Sequence, residues 1–439
     1  MMGTMELLLT LVMSMGQGPS ELLDLVPTTD YWRIQGVELT TENMQAQLKA
    51  EGTDNIRRLM AIRSLGELKS REALPGLIKL AGSKELFVAD YAKRAIAAVG
   101  GRKWQAKGVP LAVRVKHVNF LPAGTAMVGQ FAVSPGGGPV DLAKLIGKMG
   151  PMGEQLQREG GIDQMLNPLL QFAGMVGNFR VDSVTMGVSG NVANREGFVV
   201  FIARGLYDAK RCAAALKGAM TDGDEQKIEK IAGLDVYRPD DEVAILFVSN
   251  EVLAFTGGPS ADQLPVEALA KALKAGKGTL RDNKQLAAVI DATDKTGRIW
   301  AAAQLTETYR KATPIFEPFH AASLSTNFGK DGTLFTVLAK GADADQVSAA
   351  VAQLNDQLTQ ARKQMDETLG QMPMLKPMAE FLKSIAVKQA KADVTITAKM
   401  SGDATAAMML APMMMFGARA SAPDDQPMVE EDMEVQPAP

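Results

Sequence analysis

Two histidines, one cysteine and a few short acidic, glycine-rich or methionine-rich runs are where this chain's residue types invite chemistry. His117 alternates with apolar residues in Val113-Arg114-Val115-Lys116-His117-Val118, the pattern of an exposed position on a strand from Val115 to Leu121. His320 follows Glu317-Pro318-Phe319, near the start of another strand. A Ser-His-Asp site needs only one histidine, so hydrolytic chemistry is not excluded by count. Both positions read first as structural. Cys212 falls in an Ala-rich helical pattern, where it acts as a small buried hydrophobe. A single cysteine forms no intrachain disulfide and no cysteine-based zinc site.

Ser134-Pro135-Gly136-Gly137-Gly138-Pro139 leaves a strand and precedes a helix at Asp141, a junction whose backbone amides can cradle phosphate. It lacks both the GxxxxGK[ST] and the GxGxxG spacing, so a plain connecting loop is the simpler reading. Asp294-Lys295-Thr296-Gly297 matches the tetrapeptide around the phosphorylated aspartate of P-type ATPases, but Arg298 stands where that family has Thr. A turn before a strand accounts for it. Asp222, Asp224, Glu225, Asp240, Asp241 and Glu242 form two acidic loops without the EF-hand spacing, leaving solvated turns or weak surface Ca²⁺ binding. Met372, Met374 and Met378, and the group Met408, Met409, Met413, Met414 and Met415, stand out among 26 methionines. Thioethers bind Cu(I) or fill irregular core gaps. No cofactor is implied by any of these runs.

Composition narrows the class. A chain of 439 residues with 46% hydrophobic content can bury the cores of two or three domains. A net charge of −3 leaves no nucleic-acid footprint. Aromatic content of 5% argues against a base-stacking or carbohydrate platform. Met5 to Met15 is an apolar run with the length of a signal-peptide core, and Ser14 and Gly16 suit cleavage before Gln17. The preceding residues carry no Lys or Arg, so the competing reading is a first helix. No later run reaches about 18 uninterrupted apolar residues, so no transmembrane span is expected. Residues 1–18 are therefore read as a signal peptide of a secreted or periplasmic protein, with a cytoplasmic one as the alternative.

From Glu51 to Gly101 the apolar residues follow a helical period: Ile56, Leu59, Met60, Leu65 and Leu68 share a face, and Gly66 permits close helix packing. Ala61-Ile62 matches Ala95-Ile96, and Leu65-Gly66 matches Val99-Gly100. At these residues the segment resembles HEAT repeats over about one and a half units, fewer than the roughly three a solenoid needs. The resemblance implies a protein-binding scaffold, with Arg57, Arg58 and Arg63 as the candidate protein-binding surface.

Downstream, an apolar run, a polar or glycine step and an Ala-rich helix recur from Phe198, Val252, Leu334 and Val394. Ala203-Arg204-Gly205 aligns with Ala339-Lys340-Gly341. The expected fold is α+β: a helical segment (19–105), then two tandem copies (106–282 and 283–418) of an antiparallel sheet with helices on one face. Residues 419–439, with Ala422 to Pro439 acidic and Pro-rich, read as a disordered tail. The functional expectation is a non-enzymatic interaction or scaffold protein of the bacterial envelope or secreted space, its partner another protein. The alternative is a carrier holding an apolar ligand between sheet and helices of one copy.

Overall fold

Among the described residues, five short α-helices come first: α1 (Thr28–Ile34), α2 (Thr41–Lys49), α3 (Asn55–Glu67), α4 (Leu74–Ala81) and α5 (Leu86–Val99). The computed structural model describes residues 22–50, 55–102, 116–132, 170, 177–189, 197–219, 227–312, 314–329, 332–369 and 376–401. Thr40 caps α2 by accepting the Asn43 N–H at 3.2 Å. Pro75 sits in the first turn of α4, where its missing N–H costs nothing. On α3 the buried side chains include Ile56, Leu59, Met60 and Leu65; on α5 they are Phe87, Val88, Tyr91, Ala92 and Ala95. A Cβ on Gly66 would lie 2.7 Å from the Ala95 Cα, so these two helices touch backbone to backbone, as the glycine predicts.

The described residues that follow are built on one antiparallel sheet of twelve strands. In chain order these are β1 (Thr125–Ala132), β2 (Arg180–Ser189), β3 (Val199–Leu206), β4 (Lys227–Ile231), β5 (Leu234–Asp240), β6 (Val243–Phe247), β7 (Val252–Gly257), β8 (Ile299–Gln304), β9 (Phe319–Gly329), β10 (Gly332–Gly341), β11 (Ala386–Ala390) and β12 (Asp393–Met400). Their spatial order is β11-β12-β10-β9-β8-β1-β2-β3-β7-β6-β5-β4. Strands from residues 106–282 and from residues 283–418 share this one sheet, joined where Gly129 of β1 faces Ala301 of β8. Small residues let these strands approach, and pairing them removes what would be a bare edge on each half.

Helices cover both faces, not one. Val200 and Ile202 of β3, Leu246 of β6, Ala254 of β7 and Trp300 of β8 are buried under α7 (Val266–Ala275) and α8 (Lys284–Ala292). The opposite face takes the N-terminal helices over Val184, Ala203 and Leu253. Further along, that face takes α10 (Ala344–Leu369), whose Val347 and Ala350 meet Phe319 and Val394. Phe381 of α11 (Lys376–Ser384) packs edge-on against Phe335. The cause is in the strands: Val199-Val200-Phe201-Ile202-Ala203 is apolar in both phases, so both sides demand cover.

Other boundaries moved. His117–Phe120 forms a 3₁₀ turn instead of a strand, with the Asn119 carbonyl accepting the Gly278 N–H at 2.8 Å. Pro122 then limits any extension of pairing. Strand β4 is a charged edge strand, Lys-Ile-Glu-Lys-Ile, with a weak apolar signal. Helix α6 (Ala209–Ala219) is capped by Asp208, whose carboxylate accepts the Arg211 N–H at 3.0 Å. Gly329 of β9 and Gly332 of β10 are paired where the two strands meet. A short helix α9 (Glu307–Ala312) links β8 to β9.

Four register shifts interrupt the pairing of the described strands, two of them at Thr125/Met127 and Tyr237/Asp240. Pairing steps from Val181↔Gly205 to Ser183↔Arg204, skipping Asp182 of β2. It steps from Phe319↔Gly341 to Ala321↔Lys340, skipping His320 of β9.

Candidate functional site

The N-terminal helices meet the sheet through arginines and carboxylates. Asp24 accepts from Arg94 at 3.0 Å and from the Tyr91 hydroxyl at 3.3 Å. Arg94 also pairs with Asp90 at 2.8 Å, and Arg180 of β2 lies 4.0 Å from Asp90 and 3.1 Å from Asp182. Asn178, just before β2, accepts the Leu23 N–H at 3.3 Å. These links make the helices and sheet one packed body around Trp32, whose indole donates to Ser64 at 2.8 Å.

Of the three arginines read as a protein-binding surface, Arg63 faces inward. Its guanidinium donates to Glu67 at 2.7 Å and to the carbonyls of Leu23 and Val26 at 2.8 and 3.0 Å, leaving 10% of the side chain exposed. Arg58 pairs at the surface with Glu85 at 2.8 Å. Arg57 is half-buried on the same helix.

His117, expected on an exposed strand position, is buried against Phe120 with its Nδ1 left without a hydrogen-bond partner. Burial, then the Arg204 and Lys116 charges, push its pKa down to about 4, so it is a neutral imidazole at physiological pH. The Asp182 carboxyl is raised by burial, against the opposing pull of Arg180 and Arg204. Arg204 itself pairs with Glu251 at 3.2 Å. His320, by contrast, is exposed. Burial and the nearby Asp208 charge raise the Cys212 thiol to about 11, which removes it as a nucleophile. Asp294 accepts two bonds from Thr296, at 2.9 and 2.6 Å, which is the turn the tetrapeptide predicts.

The largest chemical feature is apolar. Ala301, Gly129, Met186, Phe201, Phe255, Ile245, Tyr237 and Ile228 stand in register on adjacent strands, one residue from each of eight. Phe201 and Phe255 stack in parallel at 4.9 Å. A Cβ at Gly129 would meet the Met186 methyl at 3.4 Å, so the methionine lies over the glycine. Beside this row, Met127, Val188, Val199 and Val243 extend the surface, half-buried. Phe201 touches the N-terminal core, while Met186, Phe255 and Ile245 belong to none of the cores formed by the described residues. Sequence reasoning missed the row because two of its junctions, β8 with β1 and β3 with β7, join strands that are not consecutive; the apolar second phase of β2, β3, β6 and β7 was the available signal.

The Ser134–Pro139 loop, the Asp141–Gly177 stretch apart from Leu170 and Gly177, Asp222, Asp224, Glu225, Met372, Met374, the Met408–Met415 group, the helix expected from Asp403, the signal peptide and the acidic tail lie outside the described residues. Met378 is exposed. Among the described residues no three His, Cys, Asp or Glu side chains are placed to hold a metal ion, and no helix is long and apolar enough to cross a membrane.

No family model matches this chain, and no curated protein does. Among solved structures, crystal form III of TP0453 is similar at 10% identity over 67% of this chain and 97% of that one, with a TM-score of 0.35. Form I aligns at 11% identity over 70% and 99%, and form IV at 12% over 69% and 97%, both with TM-scores of 0.34. Likeness of that size carries no functional argument.

Proposed function

We propose that the chain is a non-catalytic binding protein of the envelope or secreted space that holds an apolar ligand along the in-register row of its sheet. The observation that carries this reading is the stacked Phe201–Phe255 pair, flanked by Met186 and Ile245 and half-buried beside the N-terminal core. Concave or half-covered apolar surfaces lined by aromatic and methionine side chains suit ligands that offer area and few hydrogen bonds. Native mass spectrometry of the purified protein is expected to find co-purified lipid. Binding of anilinonaphthalene sulfonate should fall about tenfold in Phe255→Ser, the loss of roughly one aromatic contact. A clean ligand-free mass together with unchanged dye binding in that variant would reject the proposal.

A protein-scaffold role is the second reading, favoured by the HEAT-like helices. Ile78 of α4 is 62% exposed and Leu68, just past the end of α3, is 38% exposed. Ile78→Glu should abolish cross-linking to a partner without changing stability if that surface is used.

The sheet also supports descent from a doubled unit. Read outward from the β1–β8 seam, β1, β2, β3, β7 and β6 on one side parallel β8, β9, β10, β12 and β11 on the other. Asp182 and His320 occupy equivalent bulges, opposite Gly205 and Gly341. Asp208 and Asp343 then cap the following helices.

A further inference from the structure

The outer sheet face formed by β10, β12 and β11 points away from α10 and α11. Its residues alternate with Phe335, Ala339 and Val394, which meet those helices. In register it presents Lys340 opposite Asp393, Leu338 opposite Thr395 and Lys388, Thr336 opposite Thr397, and Leu334 opposite Lys399. Lys388 and Lys399 are exposed, as are Ala386 and Ala390, and Leu334 is 42% exposed. The face is therefore hydroxyl-bearing and basic, with Asp393 its one carboxylate. The next charged run in the chain is its chemical complement: Asp424, Asp425, Glu430, Glu431, Asp432 and Glu434, with no Lys or Arg between Ala422 and Pro439.

We propose that residues 422–439 of this chain dock on the face made by Lys340, Lys388, Lys399 and the threonines between them. Reach is not limiting: the connection leaves β12 at Met400, and about twenty extended residues span roughly 70 Å, whereas three strands are only about 10 Å across. Attachment to the same chain raises the local concentration of the acidic run to about millimolar, so individually weak ion pairs suffice. The alternating Pro and acidic residues suit an extended segment laid over a sheet face, not a helix.

Zero-length carbodiimide cross-linking of the full chain, mapped by mass spectrometry on a mixture of isotopically labelled and unlabelled protein, tests this. Within single molecules, Lys340, Lys388 and Lys399 should join to Asp424–Glu434. Those products should fall about tenfold near 1 M salt, where the screening length is about 3 Å. The surface variants Lys388→Gln/Lys399→Gln and Glu430→Gln/Glu431→Gln/Asp432→Asn should each remove them. Products formed only between differently labelled copies would assign the face to self-association and overturn the proposal. So would equal yields at Lys49 and Lys79 of the N-terminal helices, products that survive either variant, or none at all.

Discussion

Trp300 donates its indole N–H to the side-chain oxygen of Gln130 at 3.1 Å, across the pairing of β8 with β1. Gln130 in turn donates to Thr185 on β2 at 3.1 Å, and all three side chains are buried. A satisfied polar relay at the one pairing that joins the two halves of the sheet fixes its register, because a slip of one strand position would orphan every member. Gln130→Leu keeps the volume but strands the indole donor, and should lower unfolding stability by about 2–3 kcal/mol. The double variant Gln130→Leu/Trp300→Phe removes the orphan and should recover part of that loss in urea titrations. A double variant as unstable as the sum would show that the relay contributes no coupling.

Gly205 and Gly341 close the bulged ends of β3 and β10. A Cβ at Gly205 would stand 1.7 Å from the Arg180 carbonyl oxygen, and one at Gly341 would stand 2.3 Å from the Val347 methyl and 3.1 Å from the Ala392 carbonyl. Gly205→Ala should therefore cost about 3 kcal/mol or more, and Gly341→Ala somewhat less, since one obstruction is a side chain. Gly76 in α4 has open space where a Cβ would go, so Gly76→Ala should stabilise by about 0.5–1 kcal/mol. Thermal denaturation of the three variants ranks them.

His117 makes stability depend on acid. Its pKa is about 4 in the folded chain against 6.5 for the free side chain, so the folded state favours the neutral ring. The stability tied to that neutrality is fully present above pH 6.5 and is lost as the pH falls toward 4, by about 3 kcal/mol in all. His117→Leu should flatten this limb of the urea-midpoint profile while changing the pH 7 value little, because Nδ1 has no partner to lose. An unaltered acid limb would assign it to other groups.

Arg63 and Arg58 share a helix but not a role. Removing Arg63 frees two backbone carbonyls and Glu67 at once, and Arg63→Ala should cost about 3 kcal/mol. Lysine cannot span the same three acceptors, so Arg63→Lys should rescue little. Arg58→Ala breaks only an exposed pair and should stay within about 1 kcal/mol. Chemical denaturation separates them.

The strands with one polar neighbour per apolar residue were readable from their pattern, as was Gly66 at its close contact. His117 was not, because alternation in Val-Lys-His-Val also fits a 3₁₀ turn that buries the ring, and only the tertiary contact of Asn119 with Gly278 decides between them. Strand β4 was hidden by its charges, which protect an edge and mask the apolar period. Asp24, Asp90, Arg94 and Arg180 come from three distant segments, and no local spacing relates them. The apolar row from Ala301 to Ile228 likewise exists only once non-consecutive strands lie side by side.

The seam between β1 and β8 sets a hazard during synthesis. Strand β1 is interior in the finished protein, yet until residue 304 has left the ribosome its outer backbone groups face water beside Val128 and Phe131. Nascent chains stalled in that interval would offer a template for neighbouring polypeptides, so slow elongation between residues 132 and 299 should raise aggregation more than slow elongation after β8.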